Sequence, residues 1–162
     1  MREPTGTGAK EKATMTEQLI GDVADTRVYQ EVQHFYGRQM RLLDEGAVTA
    51  WAETFTEDGV FAANGHPAPS VGRAAIEAGA RKAVEALVEQ GIQRRHWLGM
   101  LEVAERGDGA VVARTYALIV STPRGGRAAV HLSCTCEDVL VREDGRLLVR
   151  HREVNRDDLP PQ

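Results

Sequence analysis

Tyr36-Gly-Arg-Gln-Met-Arg-Leu-Leu-Asp-Glu-Gly46, followed by Trp51-Ala-Glu-Thr-Phe-Thr-Glu-Asp-Gly-Val-Phe61, decides how the chain reads. The first segment predicts the end of an amphipathic helix over about 26–44. Val28, Val32, Phe35, Gln39 and Leu42 or Leu43 recur on one face at helical spacing. Gly46 lies just past that helix, where a residue at ease with positive φ stops it cheaply. Trp51 then belongs to a short second helix, 47–56, and Glu57-Asp-Gly59 turns the chain into a strand over 59–63. Asp44 is the odd member. A carboxylate is disfavoured at the negative end of a helix dipole, and more so if it leaves water. Taken alone, it reads as a solvated helix-end residue.

Working outward, Asp25 or Thr26 is the expected N-cap of the main helix. Residues 1–15 are polar and aperiodic and read as a disordered lead, with a helical turn or two over 17–24. One domain is expected over 16–158, with a short tail at 159–162. Asn64-Gly-His-Pro-Ala-Pro-Ser70 is a loop rich in breakers, and a third helix spans about 73–90. Its Ile76, Ala80, Val84 and Leu87 share a face, and Gly91 ends it.

After Gly91 the pattern changes to four strands: 94–105, 110–122, 127–143 and 146–156. Arg106-Gly-Asp-Gly, Pro123-Arg-Gly-Gly and Glu143-Asp-Gly join them with hairpin chemistry, so antiparallel neighbours are expected. The class is α+β: a strongly curved, mostly antiparallel sheet wrapped around helices as a cone with a mouth and a pocket. The strands after Arg94 carry apolar residues on both faces (Val111, Ala113, Ala117 and Ile119 against Val112, Leu118 and Val120). That pattern predicts a homodimer through the open sheet face.

Composition removes several function classes. The 162 residues carry a net charge of −4 with both signs interspersed, so no basic stripe marks nucleic acid or an anionic membrane. No apolar run approaches the ~18 residues a spanning helix needs. A secretory pattern is missing from the start of the chain. Cys134 and Cys136 sit two apart in one strand, poorly placed for a disulfide, and read as reduced thiols of a cytoplasmic protein. The five histidines are scattered without metal-ligand spacing, so no metal is expected. Dinucleotide, P-loop and serine-hydrolase fingerprints are all absent from the sequence. Acid–base work without a cofactor, or binding, is what remains.

The phrases Leu-Leu-Asp-Glu-Gly46, Trp51 to Phe61, Val71-Gly-Arg-Ala-Ala-Ile76, Arg95-His96, Glu143-Asp-Gly145 and a closing Arg152, in that order, resemble the SnoaL-like domain family of the nuclear-transport-factor-2-like superfamily. The resemblance covers about 25–157. It implies the same α+β cone, and a relation to polyketide cyclases, scytalone-dehydratase-like enzymes and the small subunits of aromatic-ring dioxygenases.

In the dehydratases of that group, an Asp ending the first helix faces a His on the strand after the third. The matching positions are Asp44 and His96, which the resemblance makes the catalytic pair. The chemistry is sound without the family: a histidine titrates near neutral pH, and a carboxylate beside it holds its tautomer and favours the imidazolium. Each residue alone reads as ordinary; together, at this spacing, they point to function. Tyr36, Trp51, Phe61, Tyr116, Cys134, Cys136 and Arg152 are the candidate substrate-binding residues. The face bearing Cys134, Cys136 and Asp138 is the one that lines the cavity in the family, and Arg152 has an ordinary role available as the partner of Asp138. Leu43 and Ser121 stand where the dehydratases place a tyrosine and a second histidine, so their full constellation is absent here.

The expected function is a cofactor-independent cyclase or dehydratase acting on a polyketide-like, polycyclic carbonyl compound in secondary metabolism, such as antibiotic biosynthesis. The alternatives are a non-catalytic dioxygenase small subunit and a ligand-binding module. No nucleic-acid or membrane partner is expected.

Overall fold

The computed structural model describes residues 25–160, so the expected N-terminal lead, the turns over 17–24 and the end of the tail lie outside the described residues. Among the described residues three helices come early: α1 (Thr26–Asp44), α2 (Val48–Ala52) and α3 (Arg73–Gln90). Six strands accompany them: β1 (Phe55–Ala63), β2 (Ser70–Val71), β3 (Ile92–Glu105), β4 (Val111–Pro123), β5 (Ala129–Glu143) and β6 (Arg146–Arg156). No described helix is long and apolar enough to cross a membrane.

One mixed sheet runs in the order β2-β1-β6-β5-β4-β3. The hairpin turns make β3 to β6 antiparallel, as expected, whereas β1 lies parallel to β6. Register shifts at Gly99/Glu102, Ile119/Val120 and Val139/Leu140 mark bulges that bend and twist the long strands. The sheet does not close, so the architecture is α+β with an open, curved sheet around the helices.

The expected 47–56 helix is shorter than its sequence suggested. It ends at Ala52, and Thr54 back-bonds the Trp51 carbonyl at 2.6 Å. Phe55 is already in β1, opposite Val149. The β-branched and aromatic run Thr54-Phe55-Thr56 favours strand, and the five-residue helix has no side-chain cap to hold it longer. Strand β2 begins at Ser70, the last residue of the segment read as a loop. Helix α1 starts and stops as expected: Asp25 accepts from the Arg27 N–H, and Gly46 takes φ 78° beyond the C-terminus.

Helix α1 buries Val32, Tyr36, Gln39 and Met40, so Tyr36 and Met40 take the place expected for Phe35, which is only partly buried. The core joins Val32, Tyr36, Trp51, Phe55, Ile76, Val103, Val111, Leu140 and Val149. Inside it lies a polar network. Arg152 donates to Asp138 through Nε (2.8 Å) and Nη2 (2.6 Å), and the Tyr36 hydroxyl donates to Asp138 Oδ2 at 2.8 Å. Arg152 Nη2 also donates to Gln39 Oε1 (2.7 Å), and Gln39 Nε2 donates to Thr54 Oγ1 (2.6 Å). The guanidinium lies against the rings of Tyr36 and Phe55. With Asp138 and Arg152 almost wholly excluded from water, neither charge has solvent to fall back on.

The network can be tested in two ways. Asp138→Ala strands the Arg152 guanidinium in the core and should cost about 3–5 kcal/mol in urea denaturation; stability equal to the parent would show the pair to be dispensable. Burial, together with the Asp138 charge, pushes the Tyr36 phenol and the Cys136 thiol well above their ordinary ranges. Both groups stay neutral in the fold, while the unfolded chain ionises them above about pH 8.5–10. Their contribution is therefore fully present below the unfolded pKa values and is lost as pH rises past them. Melting temperature should fall at alkaline pH, and Cys136→Ala should make that fall shallower.

Candidate active site

Asp44 is the last residue of α1, and β3 runs beside it. Its carboxylate makes two bonds to one residue of that strand. Oδ2 accepts from the His96 backbone N–H at 3.0 Å, and Oδ1 lies 2.6 Å from His96 Nδ1. Gln93 Nε2 donates to the Asp44 carbonyl at 3.0 Å, tying the helix end to the same strand. These bonds offset the poor dipole position of the carboxylate and explain how its side chain stays only 7% exposed.

A carboxylate only accepts, so Nδ1 of the neutral imidazole carries the hydrogen and Nε2 presents its lone pair. Nε2 has no hydrogen-bond partner among the described residues. The ring is thus oriented on one side and unengaged on the other, the arrangement a proton-transfer group needs.

That pair opens into a cavity of about 680 Å³. Leu43, Trp51 and Phe61 wall one part of it, and Ile76, Ala80, Val84 and Leu87 of α3 wall another. Small residues on α3, Gly79, Ala80 and Ala83, leave the space unfilled, and of the helix's apolar stripe only Ile76 is fully buried. Polar groups are few: Asp44, His96, Arg94, Arg95, Glu45, Gln93, His66 and Ser70. Trp51 is 3% exposed and packs edge-on to Phe55 at 4.9 Å, while its indole Nε1 has no hydrogen-bond partner. Trp51 lines the cavity, and its buried N–H is left unpaired by the described residues.

The structure brings Asp44, His96, Trp51 and Phe61 to this cavity and leaves the other expected residues elsewhere. Tyr36, Cys136 and Arg152 belong to the buried network around Asp138, where their polar atoms are already engaged. Cys134 is buried on the same sheet face without lining the cavity. Tyr116 is a clear correction. Thr115 and Ala117 point inward, so alternation sends Tyr116 to the outer face, where it is 61% exposed. Sequence reasoning missed Arg94, His66 and the role of α3 as cavity wall. For Arg94 the signal was present, because it sits two residues from His96 and so shares its side of the strand. The α3 stripe looked like a core face, which is what an unfilled cavity wall resembles.

Among the described residues no group of three or more His, Cys, Asp or Glu side chains gathers as metal ligands. No curated protein matches the chain. Solved structures do. Aln2, from a Streptomyces species, is 37% identical, with a TM-score of 0.79 over 85% of this chain and 96% of that one. ActVI-ORFA from Streptomyces coelicolor is 36% identical, with a TM-score of 0.78 over 85% and 100%. A protein from Catenulispora acidiphila, solved in complex with S-DNPA, is 43% identical, with a TM-score of 0.72 over 83% and 96%. An NTF2-like protein with a cystatin-like fold, from Novosphingobium aromaticivorans, shares 24% identity at a TM-score of 0.70, and the beta subunit of a putative aromatic-ring-hydroxylating dioxygenase from that organism shares 14% at 0.69. These two show the shared fold alone. The SnoaL-like domain matches residues 24–153, most of the chain. With the open α+β cone, its cavity and its aspartate-held histidine in view, the chain belongs to the SnoaL-like domain family.

Proposed function

We propose that the protein is an acid–base cyclase or dehydratase acting on a flat, polyketide-like carbonyl compound, with His96 as the proton-transfer group. The observation that carries this reading is the two-bond grip of Asp44 on His96 at the wall of a large apolar cavity. A relative 43% identical to this chain was solved in complex with S-DNPA, which supports a ligand in the same space.

For a β-hydroxy carbonyl substrate the steps balance without an external reactant. His96 Nε2 takes the proton alpha to the carbonyl as the enolate forms. Asp44 stabilises the resulting imidazolium through Nδ1–H. The enolate then re-forms the carbonyl, the carbon–oxygen bond to the hydroxyl breaks, and Nε2 returns its proton to the leaving oxygen. One C–H and one C–O bond are exchanged for a C=C bond and water. In ring closure, Nε2 instead takes the proton of a hydroxyl as its oxygen bonds the carbonyl carbon, and returns that proton to the carbonyl oxygen as the C=O π bond opens. Trp51 Nε1–H, unpaired in the cavity wall, donates to the substrate carbonyl oxygen and steadies charge developing there. Phe61 and the α3 stripe supply flat, apolar walls. Of the two other readings open from sequence, a scaffold subunit leaves the oriented histidine and the cavity without a use, and a ligand-binding module leaves the histidine without one.

We also propose that two copies pair through the outer face of the sheet, where Trp97, Tyr116, Leu118 and Val130 stand exposed. Trp97 lies opposite Leu118, so the patch joins two neighbouring strands, and Val130 of the third lies opposite Val120. Val112, which shares this face by alternation, is buried, and the open surface begins at Tyr116. Free thiols at Cys134 and Cys136 support a reducing, cytoplasmic setting.

Turnover is read by mass spectrometry as loss of water from a polycyclic β-hydroxy ketone, or by chromatographic separation of the isomers where ring closure leaves the mass unchanged. His96→Ala should lower the rate by about 10²–10⁴-fold with the circular dichroism spectrum unchanged. Asp44→Asn should be nearly as harmful, since an amide cannot stabilise the imidazolium. Full activity in His96→Ala would sink the assignment. For the assembly, Trp97→Glu should shift sedimentation from dimer to monomer; a parent protein that is already monomeric at micromolar concentration ends that proposal.

A further inference from the structure

The cavity contains a cation that the acid–base chemistry does not use. Arg94 lies two residues before His96 on β3, so the two side chains share the inner side of the strand. It lines the cavity together with His96. Its Nη2 donates to His131 Nε2 at 3.2 Å, while its Nε is buried without a hydrogen-bond partner. Among the described residues no carboxylate pairs with it, although most ion pairs of this chain engage arginines. Glu45, at the same cavity, is outside ion-pair distance of it.

A half-buried guanidinium with an orphaned donor, facing an apolar chamber, is poorly satisfied by the protein alone. Its planar fork fits a carboxylate better than any neutral oxygen. We infer that Arg94 receives a carboxylate on the substrate, so that the protein selects anionic polycyclic compounds over their neutral counterparts. This rests on the reading of the cavity as the substrate site and adds the charge of the molecule that enters it. Two residues of strand separate Arg94 from His96 by about 6.6 Å. The carboxylate is thus held on the same side of the strand as the carbon that His96 addresses. An anchor on that side fixes which carbon of a flat ring system meets Nε2, something apolar walls cannot do.

Isothermal titration with anthraquinone-2-carboxylate and anthraquinone-2-carboxamide as probes, near neutral pH, tests the inference. The wild-type protein should bind the carboxylate about tenfold or more tightly than the amide. Arg94→Gln should abolish that preference chiefly by weakening the carboxylate, with an unchanged circular dichroism spectrum certifying the fold. Arg94→Lys should restore part of the preference, as a point charge without the fork. Equal binding of acid and amide by the wild type, or a preference that survives Arg94→Gln, overturns the inference and leaves the cavity reading intact. Failure of both probes to bind overturns the two together.

Discussion

The buried pair of Arg152 and Asp138 is the constraint on which the remaining geometry depends. Two opposite charges deep in the core are expensive unless every polar atom around them is satisfied. Here the satisfaction comes from different parts of the chain: Asp138 from β5, Arg152 from β6, Tyr36 and Gln39 from α1, and Thr54 from the turn before β1. The hydrophobic effect would press α1 against the sheet in many positions, because apolar contact is not directional. The hydrogen bonds of Tyr36 and Gln39 select one. With that position fixed, the C-terminal end of the same helix brings Asp44 to β3. The core network thus sets the placement of a carboxylate it never touches.

Filling and emptiness are distributed unequally across the molecule. Beside α1 the core is tight, with Val32, Phe55, Leu140 and Val149 wholly excluded from water. Beside α3 it is not: glycine and alanines face a chamber, and Val84 and Leu87 remain only half-buried. Larger side chains on that helix would bury more apolar area and stabilise the fold. The helix therefore acts as a wall, and the dense half of the protein holds it in place. A cavity with one oriented histidine needs a rigid support on the side where geometry matters and space on the other.

Much of this was legible in the residues. The 3.6-residue period and Gly46 marked α1, and Gly-bearing turns marked the late meander, because such signals are local and have local physical causes. That Asp44 and His96 would meet was readable through the family resemblance, and Arg152 with Asp138 through the ordinary need of a buried cation for an anion. The parallel pairing of β1 with β6 was not readable. It joins segments nearly a hundred residues apart, and neither carries a turn that specifies the partner. Tyr116 was named among the substrate-binding candidates although it lies on the outer face, because which face lines a cavity depends on the bend of the sheet, which bulges set and sequence spacing does not locate. Cys136, Tyr36 and Arg152 were placed near the substrate for a related reason. A polar residue on an inward face serves the core or the cavity, and only the packing distinguishes the two.

Asp44 shows how structural cost and chemical use coincide. A carboxylate at the C-terminal end of α1 faces unpaired carbonyls and would gain by moving into water. It stays because the His96 backbone N–H and ring Nδ1 both bind it, and Gln93 occupies the neighbouring carbonyl. The bond to the backbone N–H does not depend on the charge of the ring, so the carboxylate remains positioned when the imidazole is neutral. The bond to Nδ1 strengthens when the ring becomes charged, because it is then an ion pair in a largely apolar wall. The first bond thus fixes geometry at all times, and the second, present in the neutral ring, gains most of its strength once a proton has arrived at Nε2. A group that stabilises the charged state more than the neutral one lowers the barrier to forming it. The same two oxygens serve the fold and the chemistry by making one bond to the main chain and one to the side chain of a single residue.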